Sequence, residues 1–123
     1  LGRSDMLTVG QLRREIVRLW SSDPEENLEV ILTGERRDHI LERHPDMEPY
    51  LGWLREAVLN PNEVHPNRTD HDMAIFYCRI TGTRYLRVAV LMQQQKGPRR
   101  HSIISARQAR PEEVARGRAI WRQ

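Results

Sequence analysis

Apolar residues recur at helical spacing through the first half of this chain. Between residues 8 and 21 they stand three or four positions apart, with Thr8 as a plausible N-cap. The apolar stretch 29–33 predicts a short strand, and Thr33 at its end can cap the helix that Pro45 then stops. Three helices are therefore predicted, over residues 8–21, 35–44 and 47–59.

From residue 63 onward the period of the apolar positions changes to two, which predicts strands. Four strands are predicted, over residues 63–65, 72–80, 85–92 and 99–106. A tight hairpin at residues 81–83 joins the two long strands beside it. Pro111 begins a final helix, with Glu112 and Glu113 in its first turn. The elements together predict an α+β protein: N-terminal helices, an antiparallel sheet of three or four strands, and a C-terminal helix.

Basic residues are uneven in kind and in position. Only Lys96 is lysine among twenty Lys and Arg residues, a bias that a GC-rich genome would also produce. Residues 1–61 carry 8 basic and 12 acidic side chains, whereas residues 62–123 carry 12 basic and 5 acidic ones. Codon bias does not explain this polarity. A positive C-terminal half favours a partner that bears phosphate, or an acidic protein that imitates one.

The predicted helix at residues 35–45 reads E-R-R-D-H-I-L-E-R-H-P. Its i, i+3 and i+7 spacing places Arg36, His39 and Arg43 on one face, with His44 at the edge of the apolar face. Metal-free RNA cleavage needs a base, an acid and positive charge around the phosphorus, which histidine and arginine supply. Two other interpretations remain open: His44 caps the helix C-terminus, or His39 and Arg43 belong to a solvated, ion-paired face.

Polar and aromatic groups also share one face of the predicted strands. Strict alternation places His101, Ile103 and Ser105 together, and Arg107 continues that parity. The outward groups of the three long strands are Tyr77, Arg79, Tyr85, Arg87, His101, Ser105 and Arg107. Each of them alone is compatible with ordinary sheet surface. Their concentration on neighbouring strands favours a functional face.

Other chemistries are less well supported by the sequence. His65 and the run Asp70-His71-Asp72 lie in a polar loop without the usual metal-ligand spacing, and no glycine loop for phosphate is present. We therefore expect no metal and no cofactor. The single cysteine, Cys78, fits a reducing cytoplasm, and the absence of a long apolar run argues against a membrane segment.

The order of these motifs resembles a known group of nucleases. The helix E-R-R-D-H-I-L-E-R-H-P, then N-P-N-E-V, a hairpin and the terminal I-I-S-A-R-Q-A resemble the barnase–EndoU–colicin–RelE-like nucleases of phages, plasmids and toxin–antitoxin loci. The closing Ile103-Ile104-Ser105-Ala106-Arg107 also resembles the end of BrnT-type toxins. The resemblance covers residues 28–117. It implies a single nuclease-like domain over residues 1–123. The resemblance does not explain the N-terminal helical extension predicted for residues 1–27.

The resemblance also implies a function and a set of site residues. We expect a toxin-like, metal-independent endoribonuclease that cleaves RNA by attack of the 2′-hydroxyl; the alternative is a non-catalytic RNA- or protein-binding module. The catalytic candidates that match the motifs are His39, Arg43, His44 and Ser105, and strand parity adds Tyr77, Arg79 and His101. The RNA-binding candidates are Arg36, Arg87, Arg99, Arg100 and Arg107.

Individual roles follow from the chemistry of each side chain. His39 or His44 is the expected base, His101 or Tyr77 the expected acid, and Arg43, Arg79 and Arg107 the phosphate clamp. The expected partners are RNA and an acidic antitoxin or immunity protein. A homodimer formed through the N-terminal extension is left open.

Overall fold

The computed structural model describes residue 2, residues 4–21, residue 23, residues 26–92 and residues 100–123. Seven strands within these residues form one sheet. They are β1 (Met6–Gln11), β2 (Glu29–Thr33), β3 (Glu63–Pro66), β4 (Met73–Thr81), β5 (Arg84–Leu91), β6 (His101–Ala109) and β7 (Trp121–Arg122). The α-helices are short: α1 (Arg14–Val17), α2 (Gly34–Arg43), α3 (Leu54–Leu59) and α4 (Pro111–Arg116).

The order of the strands across the sheet is β1-β2-β6-β5-β4-β3-β7. Neighbours are antiparallel except β2 and β6, which run parallel. The predicted α+β architecture, with N-terminal helices and a three- or four-stranded antiparallel sheet, is therefore wrong. The protein is a mixed α/β structure, because β1 and β7, which were not predicted, and β2, which was predicted outside the antiparallel sheet, extend that sheet to seven strands.

The N-terminal segment is a strand followed by one helical turn, not the predicted helix over residues 8–21. Strand β1 pairs with β2 from Met6 opposite Thr33 to Gln11 opposite Glu29. Val9, Leu12 and Ile16 are all buried, so their spacing marked core positions correctly but did not determine the backbone. The edge of β2 supplies the hydrogen bonds that a helix would have formed internally. In the described part of residues 1–27, for which a helical extension was predicted, α1 is the only helix.

Helix α2 confirms the prediction made for residues 35–44 to within one residue. Thr33 caps it: its Oγ1 accepts a hydrogen bond from the backbone N–H of Arg36 at 3.1 Å. Ile40 is 1% exposed and fixes the helix against the core.

The helix predicted over residues 47–59 is divided in two. A 3₁₀-helix runs over Pro45–Trp53, and α3 follows it. Pro49 has no N–H to donate, so an α-helical ladder cannot pass through this segment. Trp53 lies 41% exposed at the junction instead of in the core.

Alternate residues of the central strands define two faces of the sheet. The first face carries the larger core, into which the first three α-helices pack Ile16, Ile40 and Val58. Its strand residues include Ala74, Phe76, Leu86, Val88, Ile103 and Ala106. The second face is covered in part by α4, whose Val114 packs with Ile75, Tyr77, Tyr85, Ala89 and Ala109.

A β-bulge in β6 changes which face its residues occupy. Val90 is opposite Ile103 but Ala89 is opposite Ser105, so Ile104 is an extra residue. His101 and Ile103 consequently lie on the first face, whereas Ser105 and Arg107 lie on the second. The prediction that His101 and Ser105 share a face is wrong, because one inserted residue reverses a period of two.

The remaining predicted elements are confirmed in position. Strands β4 and β5 form the expected antiparallel hairpin. Pro111 begins α4, with Glu112 and Glu113 in its first turn. The terminal strand β7, which pairs with β3, was not predicted.

The cap of α2 gives a stability prediction. Thr33→Ala removes the oxygen that accepts from Arg36, so the free energy of unfolding should fall by about 1 kcal/mol. Urea denaturation followed by circular dichroism measures the change. Thr33→Ser keeps a hydroxyl and should retain most of the stability; equal losses in the two variants would contradict the capping role.

Candidate functional site

The groups predicted on the helix and those predicted on the strands lie on opposite sides of the sheet. Ile40 of α2 joins the core of the first face, together with Phe76 and Val88. Tyr77 and Arg107 belong to the second face by their strand register. Among the described residues, no hydrogen bond or ion pair links the side chains of the two groups. They do not form one site.

The helix candidates form an open surface. Arg36 and Arg43 are exposed on α2, and His39 and His44 are half-buried there. In the part of the chain that the structure describes, the side chains of these four residues make no hydrogen bond or ion pair. The surface can attract anions, and none of the cavities described below is lined by these four residues.

Two further candidates lie away from the other strand residues. His101 is 2% exposed, and its Nε2 lies 2.7 Å from the carbonyl oxygen of Asn27, inside the core. Burial is the main reason that the pKa of His101 is lowered, although Asn27 and Glu26 oppose this shift. Arg100 contacts the Met6 Sδ through Nη1 at 3.1 Å. Arg99 lies outside the described residues.

The second face gathers other candidates into one row. Tyr77, Arg87 and Arg107 are directly opposite one another on β4, β5 and β6. Adjacent strands lie about 4.8 Å apart, so the three side chains project side by side. Ser105 and Arg79 flank the row on the same face, and the Arg79 guanidinium stacks on the Tyr85 ring at 5.5 Å.

Glu113 of α4 joins this row. The Tyr77 hydroxyl donates to Glu113 Oε2 at 3.0 Å, and Arg107 Nη1 lies 2.9 Å from Glu113 Oε1. Arg87 Nε lies 3.9 Å from Glu113 Oε2. We call Tyr77, Arg87, Arg107 and Glu113 the Glu113 cluster. Sequence analysis had noted Glu113 only as a favourable residue for the first turn of the helix.

Local sequence explains why Glu113 reaches the sheet. Pro111 starts α4 directly after β6, and Val114 is 3% exposed because it packs onto Tyr85 and Ala109. Burial of Val114 fixes the rotation of this short helix, which directs the preceding residue toward the arginines.

The charges of the Glu113 cluster fix its protonation at neutral pH. Burial raises the pKa of Glu113, but the hydrogen bond and charge of Arg107, with help from Tyr77 and Arg87, outweigh it and leave the pKa lowered. Burial raises the pKa of Tyr77, and the Glu113 carboxylate raises it further against the opposing effect of Arg87. Glu113 is therefore ionised while Tyr77 keeps its proton.

His65 is a site residue that sequence analysis did not select. It lies on β3 opposite Ile75, is 5% exposed, and meets the Tyr77 ring edge-on at 4.8 Å between centroids. Its Nε2 is 3.1 Å from Glu63 Oε1; because a carboxylate accepts, the proton is assigned to Nε2. The pairing of β3 with β4 was the missing signal, since it aligns His65 with the face that carries Tyr77.

Gly117 determines how His65 meets the space beside it. A Cβ atom at position 117 would lie 2.4 Å from His65 Nδ1. Any side chain there would collide with the ring nitrogen that Glu63 leaves unengaged, so glycine is needed for His65 to keep this position.

These residues line a groove of about 750 Å³ beside α4. Its cationic lining is Arg68, Arg87, Arg107, Arg116 and Arg118, and its acidic lining is Glu113. Within the described ranges, Arg68, Arg116 and Arg118 form no ion pair. A groove with this excess of unpaired guanidinium groups favours a ligand with several negative charges.

Features associated with other functions were also sought in the described residues. No three His, Cys, Asp or Glu side chains gather there in an arrangement that could hold a metal ion. No helix in the same residues is long and apolar enough to span a membrane. Cys78 is buried on the first face, and burial raises the pKa of its thiol.

The lowered pKa of Glu113 gives a pH-dependent prediction. Because the folded-state pKa lies below the ordinary value of 4.5, the stabilisation is complete above that pH and is lost as the pH falls through the folded-state value. Glu113→Gln should therefore be less stable than the parent at pH 7. The difference in free energy of unfolding between the two proteins should become smaller below pH 4.5. Urea denaturation across this range measures it, and a gap that does not vary with pH would contradict the ion pairing.

No family model, curated protein or solved structure matches this chain. The functional interpretation therefore depends on the side chains of the groove.

Proposed function

We propose that this protein is a metal-independent endoribonuclease whose catalytic site is the groove on the second face. The main observation in its support is the Glu113 cluster, which places two arginines, an ionised carboxylate and a protonated phenol in one row beside the His65 ring. This set supplies a phosphate clamp and two groups able to exchange a proton, which are the requirements of 2′-hydroxyl attack.

The two arginines form the clamp. In the absence of ligand, the single Glu113 carboxylate pairs with both Arg87 and Arg107, and the three groups together keep a net positive charge that attracts an anion. A phosphodiester that takes over these guanidinium groups adds negative charge beside Glu113. The pKa of Glu113 then rises, and its carboxylate becomes a better base when substrate is present.

Two proton transfers accompany the cleavage, one from the 2′-hydroxyl and one to the 5′-oxygen. Glu113 accepts the proton of the 2′-hydroxyl, the 2′-oxygen forms a bond to phosphorus, and the bond from phosphorus to the 5′-oxygen breaks. The imidazolium form of His65, held at Nε2 by Glu63, donates its Nδ1 proton to the departing 5′-oxygen and is left as the neutral ring. Tyr77 donates a hydrogen bond to a non-bridging oxygen. The products are a 2′,3′-cyclic phosphate and a 5′-hydroxyl.

The requirement for a 2′-hydroxyl selects RNA over DNA. The resemblance of I-I-S-A-R-Q-A and its neighbours to the barnase–EndoU–colicin–RelE-like nucleases supports the same activity. It also supports an acidic antitoxin or immunity protein as a partner, because an acidic surface would complement the arginines of the groove.

A non-catalytic RNA-binding module is the second candidate. The unpaired Arg68, Arg116 and Arg118 favour it as much as they favour catalysis, because they supply affinity for phosphate without chemistry. Such a module would bind RNA in a salt-dependent manner and yield no product.

Substitution of Arg107 tests the location of the site. Arg107→Gln should lower RNA cleavage in EDTA by about 100-fold or more, because the clamp loses a charge-assisted hydrogen bond in the transition state. His65→Gln should cause a loss of similar size. The measurement is the rate of product formation from a fluorescent oligoribonucleotide, with circular dichroism to verify folding.

Arg18→Gln is the matched control, because it removes one arginine from an exposed position beside α1, whose buried residues pack on the first face. It should cleave at the parental rate. Loss of cleavage in His39→Ala together with full activity in Arg107→Gln would contradict the groove and locate catalysis on α2. Binding without product in the parent would favour the non-catalytic module.

A further inference from the structure

The opposite flank of α4 carries a second cavity. It has a volume of about 430 Å³, and Arg84 and Arg110 line it together with Arg107, Glu113 and Arg116. The last three residues also line the catalytic groove. The two spaces therefore share Arg107, Glu113 and Arg116 as a common wall.

Arg84 is held in place on this flank by a chain of side chains. Gln108 Nε2 donates to Asp46 Oδ2 at 2.8 Å, which directs Gln108 Oε1 toward the sheet end. Arg84 Nη1 then donates to that Oε1 at 3.4 Å. The Gln108 amide oxygen accepts from one N–H of the Arg84 guanidinium. A guanidinium carries five N–H donors, so the others remain available.

The rest of the cavity is also cationic. In the described part of the chain, Arg110 and Arg116 make no ion pair, and Glu112 is the acid that this flank adds. A smaller space of about 270 Å³, lined by Thr83, Arg84 and Arg110, extends the cavity to the β4–β5 hairpin. Two arginines thus face a space that the catalytic steps do not use.

Side-chain alternation separates Arg84 from the clamp. Arg84 and Arg87 are three residues apart on β5, an odd spacing that directs their side chains to opposite faces of the sheet. A phosphate held by Arg87 therefore does not reach the Arg84 guanidinium. A second phosphate of the same chain can, because Arg107 and Arg116 line both the groove and the second cavity.

We propose that Arg84 and Arg110 form a second phosphate subsite, which binds a phosphate next to the one held by Arg87 and Arg107. The inference rests on the proposed ribonuclease function and deepens it: the preferred substrate is an oligoribonucleotide chain, not a dinucleotide or a mononucleotide. The subsite contributes affinity and leaves the reacting groups unchanged.

The test compares two substrates and one double variant. A ribodinucleoside monophosphate has a single phosphate and fills only the clamp, whereas an octaribonucleotide of repeated sequence reaches both sites. Cleavage of each is measured in EDTA. Affinity is measured by anisotropy with a 2′-O-methyl octamer, which cannot be cleaved.

Arg84→Gln/Arg110→Gln should weaken octamer binding by about tenfold and reduce the dependence of log Kd on log salt by about 0.7, the value for one single-strand phosphate contact. Cleavage of the dinucleotide should stay at the parental rate. Arg14→Gln/Arg18→Gln removes two arginines at α1 and should change neither quantity. Arg110→Gln alone, whose side chain makes no ion pair with a described residue, verifies the result in a variant that loses no structural contact.

The outcomes separate the two proposals. Unchanged octamer affinity in Arg84→Gln/Arg110→Gln, or an equal loss in the α1 control, overturns the second subsite and leaves the ribonuclease proposal standing. Failure of the parent to cleave either substrate overturns the ribonuclease, and the uncleavable octamer still decides the subsite. A parallel loss of dinucleotide cleavage would show that Arg84 and Arg110 act on the clamp and would also overturn the inference.

Discussion

The extra residue at Ile104 is the constraint on which the arrangement of the site depends. Side chains of a strand alternate between faces, so a strand without this bulge would send His101 and Arg107 to the same side. With it, β6 contributes His101 and Ile103 to the core and then Ser105 and Arg107 to the opposite face. One strand thereby both closes the core and completes the row in which RNA is proposed to bind.

The arrangement of the site also depends on an electrostatic interaction. Arg87 and Arg107 are adjacent across two strands, and two guanidinium groups this close repel each other unless an anion lies between them. Glu113 provides that anion, and Val114 fixes it there through burial against Tyr85 and Ala109. The same contacts that make α4 stable therefore keep the clamp assembled.

Local signals in the sequence were sufficient for some elements and not for others. The Thr33 cap with Pro45 located α2, and strict alternation around residues 81–83 located the β4–β5 hairpin. By contrast, β1 had the apolar spacing of a helix, and its identity depends on pairing with β2, some twenty residues away. Tertiary pairing overrode local preference there, as it commonly does for short segments.

The residues of the site were likewise predictable only where their positions depend on local sequence. Tyr77, Arg87 and Arg107 were recognised from strand parity, because two of the three lie on a hairpin whose register is local. His65 was missed since its face is set by the pairing of β3 with β4, and Glu113 was missed since its partners are distant in sequence. The helix motif drew attention by composition alone, and its position on the other side of the sheet follows from Ile40 in the core.

Nuclear magnetic resonance of the ¹⁵N-labelled protein, titrated with a 2′-O-methyl tetraribonucleotide, tests most directly where RNA phosphate binds. The second-face site requires the largest amide shifts at Tyr77, Arg87 and Arg107, with smaller ones along α4. Shifts confined to His39, Arg43 and their neighbours on α2 would contradict it, because they would locate the ligand on the far side of the sheet.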